Sequence, residues 1–170
     1  TLGAQPVTLV DLPGLYTLDA VTPDEQIAVD ALTGKLRQWR RPDAVLVVID
    51  ATNLERNLFL ASQLLELGLP LVVALNMIDV ADKHGLHFDL NELTERLGCP
   101  VVPISARTGQ DIDQLTSTLE KIWQAQVKPA IHPELASCGS CKGCQYSARY
   151  DWAESVSAAT CRGDASAHGL

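Results

Sequence analysis

Four short runs of β-branched and other apolar residues, Val7 to Val10, Ala44 to Ile49, Leu71 to Leu75 and Val101 to Ile104, recur along the chain with helical patterns between them. Each run has the length of a strand and is apolar at almost every position, which fits burial on both faces rather than one wetted face. The intervening segments carry their own start and stop signals. Thr22-Pro23-Asp24-Glu25 is a capping box with proline at the first helical position, opening a helix whose apolar face includes Ile27, Ala28, Ala31 and Leu32. Leu54 to Leu67 places Leu58, Ala61, Leu64 and Leu65 at helical spacing and stops at Gly68, a residue suited to the left-handed cap. Asp89-Leu90-Asn91-Glu92 opens a third helix that Gly98 closes, and Ile112, Leu115, Leu119 and Ile122 line one side of a fourth that runs to Gln126.

Strand followed by helix, four times over, predicts right-handed crossovers and an α/β fold: a parallel sheet with helices on both faces and ligand residues at the carboxyl edge of the strands. The 170 residues, 46% hydrophobic and 20% charged, supply material for one core. A formal charge of −8 leaves Arg37, Arg40 and Arg41 as the sole positive cluster, which argues against nucleic acid as a partner. No apolar run reaches the roughly 18 to 20 residues that span a bilayer. The chain opens on Thr1 without a leader, which reads as a cut end. After Val127 the pattern changes, so we expect a main domain over residues 1–128, a cysteine-rich linker over 129–147, and a terminal segment over 148–170 with a short helix from Ala148 to Ala159.

The polar motifs fall where the strands should end. Asp11-Leu12-Pro13-Gly14 follows the first run, where Asp11 can hold Mg²⁺ through water and Gly14 lets a backbone N–H approach a terminal phosphate oxygen with no Cβ in the way. Alone, the tetrapeptide is also an ordinary turn composition. Asn76-Met77-Ile78-Asp79 follows the third run, and the Asp79 carboxylate can accept two hydrogen bonds from the guanine N1 and N2 donors, a pairing that adenine does not offer. The plainer alternative is that Asn76 and Asp79 cap the next segment. Ser105-Ala106-Arg107 follows the fourth run, where backbone N–H groups can reach the guanine O6. The three loops gain meaning together, each after a buried strand and in the chain order of a phosphate-loop nucleotide switch.

Val10-Asp11-Leu12-Pro13-Gly14-Leu15-Tyr16-Thr17-Leu18, followed by Asp24-Glu25, resembles the switch region of the ferrous iron transporter B family, and Asn76-Met77-Ile78-Asp79 is similar to that family's variant, in which Met replaces the usual Lys. Ala148-Arg149-Tyr150-Asp151-Trp152 is similar to the helix that precedes the family's first membrane span. The resemblance implies a Ras-like guanine-nucleotide domain that binds GTP or GDP with Mg²⁺. It further implies a polytopic membrane domain of the same parent protein that imports Fe²⁺, and a place on the cytoplasmic face of the bacterial inner membrane. In the family fold the first strand would lie between the strands represented here by Ala44 to Ile49 and Leu71 to Leu75.

No Gly-x-x-x-x-Gly-Lys-Ser/Thr occurs in the chain; the nearest stretch, Gly34-Lys35, continues with Leu36. The expectation is therefore an N-terminally truncated domain with two unpaired inner strand edges, impaired in GTP binding by itself, with no catalytic residue assignable and any GTPase activity belonging to the parent. Cys138, Cys141 and Cys144 have spacing suited to Zn²⁺, Fe²⁺ or an iron–sulfur centre, with Cys161 or His132 as a fourth ligand; a solvated linker with free thiols is the alternative. Two rival functions follow: a non-catalytic regulatory module that binds metal through these cysteines, and, more distantly, a soluble ribosome- or tRNA-related GTPase. A homo-oligomer is compatible with either. Trp39, Trp123 and Trp152 are expected as packing residues, Cys99 as a small buried hydrophobe, and His84 and His87 as a solvated loop pair.

Overall fold

The computed structural model describes residues 2, 5–37, 39–130 and 142–163, with the backbone alone for 142–145. In chain order the elements are α1 (Pro23–Thr33), β1 (Val45–Asp50), a 3₁₀ turn (Ala51–Asn53), α2 (Leu54–Glu66), β2 (Leu71–Asn76), α3 (Ile78–Lys83), β3 (His87–Phe88), α4 (Leu90–Leu97), β4 (Val101–Pro103), α5 (Ile112–Ala125), α6 (Lys142–Thr160) and β5 (Cys161–Arg162). The helix signals act as expected. Thr22 and Glu25 form the reciprocal capping box at α1, and Gly34 closes that helix at φ 75°. Asp89 caps α4 and Gly98 ends it at φ 63°.

β1, β2 and β4 form a parallel sheet in that order, with Val45 opposite Leu71, Asp50 opposite Asn76 and Leu75 opposite Pro103. β2 is central, and its first five residues are buried, as a strand covered on both faces must be. One face carries Val47, Ile49, Val73 and Leu75 under α2, α4 and α6, whose Leu58, Leu65, Leu93, Leu97, Trp152 and Val156 join the same core. The other face carries Val72, Ala74, Val102 and Ile104 under Leu115 of α5. Helices therefore cover both faces of the sheet.

Four expectations are corrected. Residues 7–10 form no strand, and Val7, Leu9 and Val10 are 38%, 84% and 39% exposed. Strand geometry survives only with a ladder partner, and none of the described strands pairs with this segment. Leu12, Leu15 and Leu18 pack against the core instead and fasten the segment by side chains. Second, no gap separates β1 from β2: the two pair directly through six aligned residues, so the expected missing strand does not lie between them. Third, the last helix begins at Lys142, within the expected linker, and is no appendage; Arg149, Trp152, Ala153 and Val156 are buried, the last three in the core shared with α2. Ile27 and Trp39, expected in packing positions, are each 50% exposed. A second, two-stranded antiparallel sheet, β3 with β5, pairs Phe88 with Cys161.

Candidate functional site

Parallel strands put their carboxyl ends on one side, so Asp50, Asn76 and the loop after β4 share an edge. The chain leaves β2 through Met77, which takes a left-handed conformation at φ 67° and is 37% exposed. That kink turns the backbone into α3 and places Asp79 in its first turn. The Ile78 N–H donates to the Ile104 carbonyl at 3.2 Å and the Ile104 N–H to the Leu75 carbonyl at 2.8 Å, locking the β2 and β4 loops together. Two further contacts complete the joint. Ala106 N–H donates to Asn76 Oδ1 at 3.0 Å, and the Arg107 guanidinium pairs with the Asp79 carboxylate.

Ser105 is buried at 1% exposure and braces the loop in two ways. Its backbone bridges to Gln110, with N–H to O distances of 3.3 and 3.2 Å, closing residues 105–110 into a loop. Its hydroxyl bonds to the Asp79 side chain and, with Arg107, holds that carboxyl below its ordinary range. Asn76, Met77, Asp79, Ser105, Ala106 and Arg107 are thus one cluster. Ala106, Arg107 and Met77 are exposed, while Asp79 is half-buried.

The Asp11-Leu12-Pro13-Gly14 segment stands apart from that cluster: no hydrogen bond or ion pair among the described residues joins the two. Asp11, Pro13 and Gly14 are exposed and Leu12 is half-buried. A Cβ at Gly14 would meet nothing within 4 Å, so the backbone here is open to a ligand. The segment that follows it is held by contacts that sequence reasoning missed. Leu18 N–H donates to Gln63 Oε1 at 2.7 Å, Gln63 Nε2–H donates to Asp19 at 3.3 Å, and the Tyr146 hydroxyl of α6 donates to the same Asp19 carboxylate. That bond holds the Tyr146 phenol above its usual range. These residues, with Glu66, Leu67 and Arg149, line a cavity of about 330 Å³. Nothing in the local sequence around Gln63 or Tyr146 marks them, because Leu18 and Asp19 are reached only when their segment docks on α2 and α6.

For metals, Cys138, Cys141 and His132 lie outside the described residues, and Cys144 falls within α6. Cys161 sits in β5 opposite Phe88, and burial raises its thiol. Among the described residues no group of three or more His, Cys, Asp or Glu side chains is placed to hold a metal ion. Among the same residues no helix is long and apolar enough to cross a membrane.

Residues 1–119 match the family model described as ferrous iron transport protein B. The chain is 47% identical over 120 residues to the Fe(2+) transporter FeoB of Salmonella typhimurium strain LT2, and 45% identical over the same length to that of Escherichia coli strain K12. Each alignment covers 68% of this chain and 15% of the relative, so the chain spans a small part of the curated proteins it matches. The cytosolic domain of Legionella pneumophila FeoB superposes with a TM-score of 0.69 at 33% identity, covering 89% of this chain and 77% of that one. The FeoB G-domain of Methanococcus jannaschii gives 0.63 at 41% identity, over 68% and 70% of the two chains. The Thermotoga maritima cytosolic domain in its GMPPNP form, at 22% identity, gives 0.74 over 89% and 79% and shares the fold. The Ras-like architecture that the resemblance implies is the architecture of these domains, and the chain belongs to the ferrous iron transport protein B family.

Proposed function

We propose that this chain is the guanine-recognising and phosphate-sensing portion of a GTP-dependent Fe²⁺ transporter. The base site is Asn76, Met77, Asp79, Ser105, Ala106 and Arg107. One observation carries the reading: the Asp79 carboxylate, kept ionised by Ser105 and Arg107, is held at the strand edge next to a loop whose Ala106 N–H is already pinned by Asn76. A fixed, ionised acceptor of two parallel hydrogen bonds selects guanine over adenine, whose corresponding edge offers a ring nitrogen acceptor instead of an N–H. Met77, exposed beside it, offers a thioether surface for a planar ring.

Asp11, Leu12, Pro13 and Gly14 form the proposed phosphate-sensing loop. Asp11 is exposed and has no hydrogen-bond or ion-pair partner among the described residues, so its hard oxygens would suit a hydrated Mg²⁺ ion. The ion would offset phosphate charge; this chain contributes one carboxylate and the unobstructed Gly14 backbone toward it. The chain contains no Gly-x-x-x-x-Gly-Lys-Ser/Thr cradle, so by itself it binds GTP weakly. In the parent protein the domain works with a membrane region at the cytoplasmic face, in keeping with the family and with relatives named as Fe(2+) transporters.

The test is nucleoside discrimination. The phosphate-free probes guanosine, adenosine and xanthosine are titrated into the chain and into Asp79→Asn, with binding read from amide shifts. The original chain should prefer guanosine, and the variant should favour xanthosine, whose C2 carbonyl accepts from the new amide. Equal binding of adenosine, or an Asp79→Asn chain that keeps its guanosine preference, defeats the base assignment. Tight Mg²⁺-dependent GTP binding by the original chain defeats the claim of impairment.

A further inference from the structure

The carboxylate assigned to the base is already engaged. Arg107 Nη2–H donates to Asp79 Oδ2, and the two side chains differ sharply in exposure, 68% for Arg107 and 15% for Asp79. A guanidinium offers a carboxylate planar N–H donors on a conjugated N–C–N unit. The N1, C2 and N2 atoms of guanine offer the same unit. An Asp79 oxygen turned toward Arg107 is not free to receive both guanine donors in their best geometry. We propose that Arg107 is an intramolecular stand-in for guanine: it occupies the Asp79 acceptor while the site is empty, and its side chain must swing away for the base to enter. This proposal rests on the reading of Asp79 as the base acceptor.

The loop is built so that the side chain alone has to move. The backbone on either side of Arg107 is fixed by the Ala106 to Asn76 bond and by the Ser105–Gln110 bridge. Arg107 itself is mostly in water, so its release recovers hydration and rotamer freedom. While paired, it keeps Asp79 ionised and aimed, which spares the site reorganisation when the base arrives. Adenine lacks the paired donors and cannot replace the guanidinium, so the stand-in also acts as a check on base identity.

Guanosine is neutral, which makes ionic strength a selective probe of the ion pair. Between about 0.01 M and about 1 M salt the Debye length falls from about 30 Å to about 3 Å, weakening an exposed guanidinium–carboxylate pair while leaving a neutral donor little affected. Guanosine is titrated into the full chain, Arg107→Ala and Asp79→Asn at both salt concentrations, with Kd and fold integrity read from the same ¹H–¹⁵N spectra. At low salt Arg107→Ala should bind about two- to fivefold tighter than the original chain, the range expected for loss of one exposed competing pair. At high salt that gap should close. The Asp79 carboxyl, followed by its own ¹³C shift, should titrate at higher pH in Arg107→Ala. If Arg107→Ala binds guanosine equally or more weakly at low salt while Asp79→Asn loses binding, the stand-in is overturned and the base assignment stands. If Asp79→Asn binds as well as the original chain, or no chain shifts with guanosine, the base assignment fails and the stand-in with it.

Discussion

The contact between α6 and α2 makes an asymmetric prediction about its ion pair. Arg149 reaches from α6 to Glu66 Oε2 at 2.6 Å and to Ser62 Oγ at 3.1 Å. The Arg149 side chain is 11% exposed and that of Glu66 is 36% exposed. Removing the partner of a fully buried charge costs about 3–5 kcal/mol. Water reaches the place that the Glu66 carboxylate vacates, so about half of that survives and Glu66→Ala should cost about 2 kcal/mol. Arg149→Met behaves differently. Its unbranched thioether fills the same space, Ser62 keeps its 2.6 Å bond to the Phe59 carbonyl, and the orphaned Glu66 already meets solvent. That exchange should cost under about 1 kcal/mol. For a chain of this size 1 kcal/mol moves Tm by about 2–4 °C, so Glu66→Ala should fall by about 4–8 °C and Arg149→Met by less than about 4 °C. Urea unfolding followed by fluorescence provides the assay, since Trp152, 3% exposed, lies one turn along the same helix. An Arg149→Met variant that loses as much stability as Glu66→Ala would refute the reasoning, because the pair's attraction would then outweigh the burial of its guanidinium.

Other expectations follow from single contacts. Burial pushes the Cys99 thiol from 9.0 up to about 12, so native protein at mild alkaline pH should resist thiol-modifying reagents at this residue until denatured. Because the folded value is the higher one, the neutral thiol's stabilising contribution is complete below pH 9.0 and is lost as pH climbs toward 12; denaturant midpoints for Cys99→Ala should show a flatter fall across that window. Gly98→Ala should destabilise by about 2 kcal/mol or more, since φ is 63° and the new Cβ would stand 2.3 Å from the Ala130 carbonyl oxygen; a thermal melt within about 1 °C of the original chain would contradict this. Gln63→Ala removes the acceptor of the Leu18 N–H, so hydrogen exchange at Leu18 should accelerate while exchange in β2 stays unchanged.

The parts of the fold legible in the sequence are those governed by local chemistry. Capping residues and terminal glycines mark helices because they satisfy orphan backbone groups within four residues, and Thr22, Asp89 and Gly98 all do so here. The continuous apolar runs of β2 and β4 mark strands buried on both faces, whereas β1, an edge of the three-stranded sheet, leaves Val48 55% exposed against the same expectation. Val7 to Val10 has the same composition and fails, since β propensity expresses pairing and burial that this segment does not obtain. The two-residue strands β3 and β5 carry no periodicity to detect, and their pairing spans distant parts of the chain. The residues proposed for the base site are legible in the sequence as types and positions. Their mutual engagement, Arg107 on Asp79 and Ala106 on Asn76, depends on the register of β2 against β4, which no local pattern encodes.

Besides its packing on α2, helix α6 is anchored at two separated points. Near its start Tyr146 grips Asp19, in the segment that follows the Asp11 to Gly14 loop, and at its end the Thr160 carbonyl accepts the Asp89 N–H at 2.8 Å while β5 pairs with β3, downstream of the base loop and α3. Nineteen residues of helix make a rod about 28 Å long. Pivoting such a rod by about 6° at one end sweeps the other through about 3 Å, the full length of a hydrogen bond. Both anchorages therefore survive only while the rod stays put, which the packing of its middle on α2 enforces.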